Sequence, residues 1–122
     1  MPSRYLLDEN LRGPLWQAIQ KYNSSGLPPI DTLRVGDPVD LPLGSNDADI
    51  LLWAEREWRI LVTFDAATIP AHLAAHLVAG HHSPGVFVIR PYTTLPQIVF
   101  ILALAAHAGD PAQVEDGIEY IP

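Results

Sequence analysis

The run Arg59-Ile60-Leu61-Val62-Thr63-Phe64, closed by Asp65, constrains this chain more than any other stretch. It is rich in β-branched and aromatic residues, and its apolar character is nearly unbroken rather than alternating. That pattern predicts a strand buried on both faces, which requires a sheet with helices on either side. Gly85-Val86-Phe87-Val88-Ile89-Arg90 repeats the pattern, and Arg4 to Leu7 is a shorter version that stops abruptly at Asp8. Ile30 to Val35 supplies a further candidate strand, and Ile118 to Ile121, after the Asp116-Gly117 turn, a short terminal edge strand.

Helical patterns fill the intervals. Leu11, Leu15, Ala18, Ile19 and Tyr22 fall on one stripe, with Pro14 in the first turn, until Asn23 to Pro29 breaks the helix. Gly36 to Ser45 reads as a loop, after which Ser45 or Asn46 can cap a helix carrying Asp47 and Asp49 in its first turn and continuing through Ile50, Ala54 and Glu57. Thr68 opens a third helix, with Pro70 in its first turn and Ile69, Leu73 and Leu77 on one face, ending at Gly80. Thr94-x-x-Gln97 is a capping-box pattern for a fourth, running to about Ala106. Four alternations of strand and helix predict a three-layer α/β/α sandwich around a mainly parallel sheet of four to five strands, joined by right-handed crossovers. The 122 residues suffice for a single domain over 1–122.

Composition narrows the function classes. Hydrophobic residues make up 48% and charged residues 17%, enough apolar surface for one core and too little charge for a disordered chain. The formal net charge of −7 repels phosphate backbones unless a local patch or bound cations reverse it, which excludes nonspecific coating of nucleic acid. The absence of cysteine excludes disulfides, thiolate zinc sites and cysteine nucleophiles. The apolar stretch Tyr5 to Leu7 meets an acid too soon to be a signal peptide, and Ile98 to Ala106 is far shorter than the roughly 20 residues that cross a bilayer. The expectation is a cytoplasmic protein without membrane contact.

In an open parallel sheet the ligand crevice lies beyond the carboxyl ends of the strands. Asp8 and Glu9 follow the first strand and Asp65 the third, Arg90 follows the fourth, and Asp47 with Asp49 opens the helix fed by the loop after the second. Clustered carboxylates repel one another and favour protonation unless a divalent cation or a basic partner neutralises them. Oxygen donors of this kind suit Mg²⁺ or Mn²⁺, and with Arg12 and Arg90 to hold phosphate the set points to phosphodiester hydrolysis. The same residue types also have a purely structural use, Asp8 and Asp47 as helix caps and Asp65 as the start of a turn.

Three ordered motifs add a resemblance. Leu6-Leu7-Asp8-Glu9-Asn10-Leu11, then Asn46-Asp47-Ala48-Asp49-Ile50-Leu51-x-Trp53-Ala54, then Ile60-Leu61-Val62-Thr63-Phe64-Asp65 together resemble a prokaryotic PIN-like family, and Pro84-Gly85-Val86-x-Val88-Ile89-Arg90 is similar to it too. The likeness runs from residue 4 to about residue 105. It implies a parallel sheet between helices and a metal-dependent ribonuclease acting on RNA, with Asp8, Asp47 and Asp65 as metal ligands and Glu9 and Asp49 as auxiliary acids. It also implies a toxin of a toxin–antitoxin pair, with a small antitoxin partner. Two departures stand out: residues 10–30 contain none of the acids that the family carries on a helix there, and Ala66-Ala67-Thr68 replaces the Asp-Phe that many relatives carry after the Thr-x-Asp motif. These departures keep a second reading alongside the first, a catalytically inactive PIN-like module that binds a protein partner.

Other constellations compete less well. His72 and His76 are one helical turn apart, with His81 and His82 nearby, but Leu73-Ala74-Ala75 between them lacks the glutamate of a metalloprotease helix. His107 suits a helix C-terminus. Trp16, Trp53 and Trp58 read as core or interface residues on helices, and no serine sits in a nucleophile-elbow motif. Ile98 to Ala106, apolar nearly all round, predicts a helix buried beneath other elements or in contact with a second copy of the chain.

Overall fold

The computed structural model describes residues 2–122, and its five strands form one sheet in which every neighbouring pair is parallel. The strands are β1 (Tyr5–Leu7), β2 (Thr32–Arg34), β3 (Ile60–Thr63), β4 (Val86–Ile89) and β5 (Ile118–Ile121), in spatial order β2-β1-β3-β4-β5. The helices are α1 (Pro14–Asn23), α2 (Asp47–Glu57), α3 (Ile69–Val78) and α4 (Leu95–Ala108). The expected three-layer α/β/α sandwich is thus observed, with five strands, within the expected four to five.

Residue alternation along the strands sorts the core into two halves. Tyr5, Leu7, Ile60, Val62, Phe87 and Ile89 point to the side covered by α1 and α4, where Leu15, Ile19, Ile98 and Leu102 meet them. Leu6, Leu61, Val86 and Val88 point to the other side, against Ile50, Leu51 and Trp53 of α2 and Ile69 and Leu73 of α3. The central strands β1, β3 and β4 are buried throughout, as their unbroken apolar character requires.

The layer assignment also fixes the crossovers. From β1 to β2 the chain moves in one direction along the sheet by way of α1. From β2 to β3 and from β3 to β4 it moves in the other direction, with α2 and α3 on the opposite face, so these three connections share one hand. From β4 to β5 it continues in that second direction, yet α4 lies on the α1 face. The last crossover therefore has the opposite hand to the other three, departing from the expectation of four right-handed connections.

Element bounds differ from the sequence reading where local chemistry intervenes. The first helical pattern splits: Glu9–Leu11 is a short 3₁₀ turn capped by the Asp8 carboxylate, and α1 begins only at Pro14, whose missing N–H is harmless at a first helical position. Phe64, expected in the strand, lies beyond β3 and is half exposed. Trp58 closes α2 in the left-handed conformation (φ 52°), donating its N–H to the carbonyls of Ala54 and Glu55, and its ring is partly exposed rather than in the core. At Gly85 (φ 122°) a Cβ would stand 2.7 Å from the carbonyl oxygen of Val114, so glycine is what lets the loop before β5 settle against the start of β4. Among the described residues no helix is long and apolar enough to cross a membrane.

Candidate functional site

The parallel sheet directs every strand toward one edge, and the turns leaving β1 and β3, which are neighbours, lie side by side there. Asp8, Glu9, Asp47 and Asp65 line a single open cleft of about 320 Å³ at this edge, with Asn10, Gly44, Ser45 and Ile50 completing its walls. Three of these acids come from different elements: the end of β1, the first turn of α2 and the end of β3.

Each is held by its own local chemistry. Asp8 accepts from the N–H of Glu9 through one oxygen (2.7 Å) and from the Thr63 hydroxyl through the other (2.8 Å). The Thr63 oxygen in turn accepts from the N–H of Asp65 (3.1 Å), so one buried hydroxyl couples the two strand-end aspartates. Asp65 caps the turn into α3, taking the Thr68 hydroxyl and the N–H groups of Thr68 (2.9 Å) and Ala67 (3.1 Å). Those bonds, the Thr68 hydroxyl foremost, hold the Asp65 carboxyl below the usual carboxylate range, and nearby His72 adds to the effect. Glu9 accepts from the N–H of Gly44 (2.6 Å), tying the β1 turn to the loop before α2.

Asp47 lies 3.2 Å from Nε2 of His72. Sequence reasoning considered His72 only beside His76 as a metal pair and did not place it at the acids. The signal was available in its position: α3 starts at the edge where Asp65 ends β3, so the first turn of that helix borders the cleft. Thr63 likewise has no role that its place in the Ile60 to Asp65 motif signals.

Three candidates stand elsewhere. Asp49 belongs to a neighbouring groove with Asp40, Leu43, Trp53 and Arg56, because two residues along a helix turn the side chain by about 200°. Arg12 bonds to the carbonyl of Val35 and approaches Asp37 at 3.5 Å. Arg90 stacks over Tyr120 of β5, 5.1 Å from the ring centre. Neither arginine lines the acid cleft.

The side-chain partners of His76 differ from those of His72. It is buried, 3.3 Å from Glu55 and 2.8 Å from the carbonyl oxygen of His82, and stacks on His81, which also contacts Glu55 (3.1 Å). His82 pairs with Asp116 at 3.0 Å.

Among the described residues no group of three or more histidine, cysteine or acidic side chains is placed so that it could hold a metal ion. The donor chemistry of the cleft nevertheless fits a hard cation. Its acids are all carboxylates, and Mg²⁺ keeps several waters and needs only one or two carboxylates beside a substrate phosphate. One or two of Asp8, Asp47 and Asp65 would be the carboxylates that such an open site draws on.

No family model, curated protein or solved structure matches the chain.

Proposed function

We propose that this protein is a metal-dependent endoribonuclease of PIN-like type, using Mg²⁺ or Mn²⁺, with Asp8, Asp47 and Asp65 as its site and Glu9 as an auxiliary acid. One observation carries the reading: acids separated by 39 and then 18 positions in the chain line a single cleft at the edge where parallel α/β sheets bind their ligands. Oxygen donors brought together from three elements are the kind that a hard divalent cation takes. When bound, the cation supplies Lewis-acid polarisation of a scissile phosphate.

The chain's own residues do the rest. Thr63 and the N–H of Glu9 fix the Asp8 carboxylate, and Thr68 keeps Asp65 ionised. His72, when protonated, offers Asp47 or an incoming phosphate a positive neighbour. Arg12 and Arg90 stand outside the cleft and would meet only the flanking phosphates of an extended RNA. On this reading the PIN-like resemblance extends to the role of toxin, with a small antitoxin as partner.

A second reading, a catalytically silent PIN-like module that binds a protein, is favoured by a different observation. Both oxygens of Asp8 and both of Asp65 are already occupied by internal hydrogen bonds, as caps alone would be. Calorimetric titration with Mn²⁺ separates the two readings. The enzyme should bind the ion, and the Asp8→Asn/Asp65→Asn double variant should not. Cleavage of a mixed-sequence RNA should fall in that variant by at least the roughly 10- to 100-fold that even outer-sphere partners of a metal ligand cost. If neither protein binds Mn²⁺, the enzyme reading fails and the binding module stands.

A further inference from the structure

The loop before α2 and the outer side of that helix enclose a second groove, of about 540 Å³, which shares Gly44 and Ser45 with the acid cleft. The helix sends its two first-turn acids to different places, Asp47 to the cleft and Asp49 to the groove. The loop that walls the groove is pinned: Ser45 donates its N–H (3.2 Å) and its hydroxyl (2.6 Å) to the Pro42 carbonyl, and Gly44 donates its N–H to Glu9 across the boundary with the cleft.

Most polar groups of the groove satisfy one another. Asp40 accepts from the Trp53 indole N–H at 3.0 Å and from the Arg56 guanidinium at 2.5 Å. Two residues of the lining do not close on themselves in this way. Asn46 caps α2 by accepting the Asp49 N–H through its side-chain oxygen (2.8 Å), which leaves the amide nitrogen free to donate. The Asp49 carboxylate has neither a hydrogen bond nor an ion pair among the described residues. Leu43 and Leu52, 58% and 42% exposed, add apolar surface to the same lining.

We propose that this groove binds a guanine base of the RNA strand and so fixes where that strand crosses the acid cleft; the strand rests on the endoribonuclease reading, the base on the groove's own chemistry. Along its Watson–Crick edge guanine presents one acceptor and two adjacent donors, O6, N1–H and the N2 amino group. An ionised carboxylate accepts two such bonds side by side, and the Asn46 amide supplies the donor that O6 needs. Adenine, cytosine and uracil have no two adjacent donors on that edge, so each would set an acceptor against Asp49. Asp40 and Asp49 outweigh Arg56, a balance that repels phosphate and suits an uncharged, donor-rich base. The unstacked bases of single-stranded RNA expose this edge, and Leu43 and Leu52 give the ring an apolar surface to pack on.

Titration of the full chain with the 5′-monophosphates of guanosine, adenosine, cytidine and uridine, followed by nuclear magnetic resonance in metal-free buffer, tests the base without any cleavage. The phosphate is common to all four, so selectivity reports the base. Guanosine monophosphate should bind about 10-fold more tightly than the others, the ratio that one bidentate pair carries. Asp49→Asn, at an exposed position, should bring it to the level of the other three with an unchanged far-ultraviolet circular dichroism spectrum. With Mn²⁺ present, a single-stranded RNA carrying one guanine should be cut at one fixed distance from it. Four nucleotides bound alike, or a guanine preference that survives Asp49→Asn, overturns the inference, and RNA cleavage under either result leaves the endoribonuclease reading standing. Guanine selected through Asp49 with no RNA cut supports the base site and sinks the endoribonuclease reading instead. Guanine selected while RNA is cut without regard to its position assigns the groove to a free nucleotide and overturns its role in placing the strand.

Discussion

Thr63 is the one polar side chain in β3, and it is 1% exposed. Its hydroxyl donates to Asp8 and accepts from the N–H of Asp65, so it holds the two strand-end acids in register. Thr63→Val keeps the branched shape and removes both bonds, leaving the Asp65 N–H without its acceptor. The expected cost is about 1–2 kcal/mol of stability, read as a lower urea midpoint at unchanged slope. A valine variant as stable as the wild type would mean that Thr63 only fills space. Asp8 and Asp65 were legible in the sequence because an acid that ends an apolar strand has one place to go. Thr63 was not, because threonine in a strand reads first as a β-branched filler. Asp49 was misplaced for a geometric reason: proximity to Asp47 in sequence becomes separation on a helix. Arg12 was taken by the Val35 carbonyl and Asp37 across a long loop, a contact that no local pattern encodes.

At the scale of elements, hydrophobic patterning located the five strands and four α-helices, while the ends and the short 3₁₀ turns followed chemistry that patterning does not register, such as the Asp8 cap and the left-handed Trp58. α4 is the instructive case. Its sequence is apolar nearly all round, which predicts burial without saying against what, and the structure divides it into an inner face on the sheet and an exposed outer face that carries Phe100 and Leu104. Its placement on the α1 side reverses the hand of the last crossover, a feature set by tertiary packing alone. The inner face carries the cost of that arrangement: Leu102 is fully buried, and its carbonyl accepts the hydroxyl of Tyr5 on β1 at 2.7 Å. Burial pushes the Tyr5 hydroxyl far above its ordinary pKa, so it remains a donor at any physiological pH. Leu102→Ala should cost about 2–5 kcal/mol in guanidinium unfolding. A loss under about 1 kcal/mol would mean that α4 is only loosely seated and that the reversed crossover contributes little to the fold.

The whole molecule is electrostatically two-ended. At the edge beyond the strand C-termini, Asp8, Glu9, Asp47 and Asp65 converge, and His72 pairs with Asp47 there. At the opposite edge, acids and histidines are interleaved: Glu55 of α2 faces His76 and His81 and accepts the N–H of His82, while His82 pairs with Asp116 in the loop before β5. The Asp116 hydrogen bond, helped by Asp116, Glu55 and Glu115 as charges, raises the His82 pKa above 6.5, and the same bond lowers that of Asp116 below 3.8. A raised histidine stabilises fully below its unfolded value and loses that contribution as pH rises through the folded value. A depressed carboxylate stabilises above its unfolded value and loses its contribution as pH falls through the folded one. The pair therefore supports the fold between about pH 4 and 6.5 and fades above, and because both side chains are solvent-exposed it should weaken with salt. The difference in melting temperature between wild type and His82→Gln should be largest near pH 5 and shrink toward pH 8, and it should narrow in 1 M NaCl. No difference at any pH would assign the role to the backbone bonds of this loop, from the His82 N–H to Glu55 and from the Ser83 N–H to Asp116, which the glutamine variant keeps. The acid edge supplies the contrast within one chain: its carboxylates have a single histidine among them, and the charge left over is what a cation or a phosphate-bearing ligand with its counterions would have to balance.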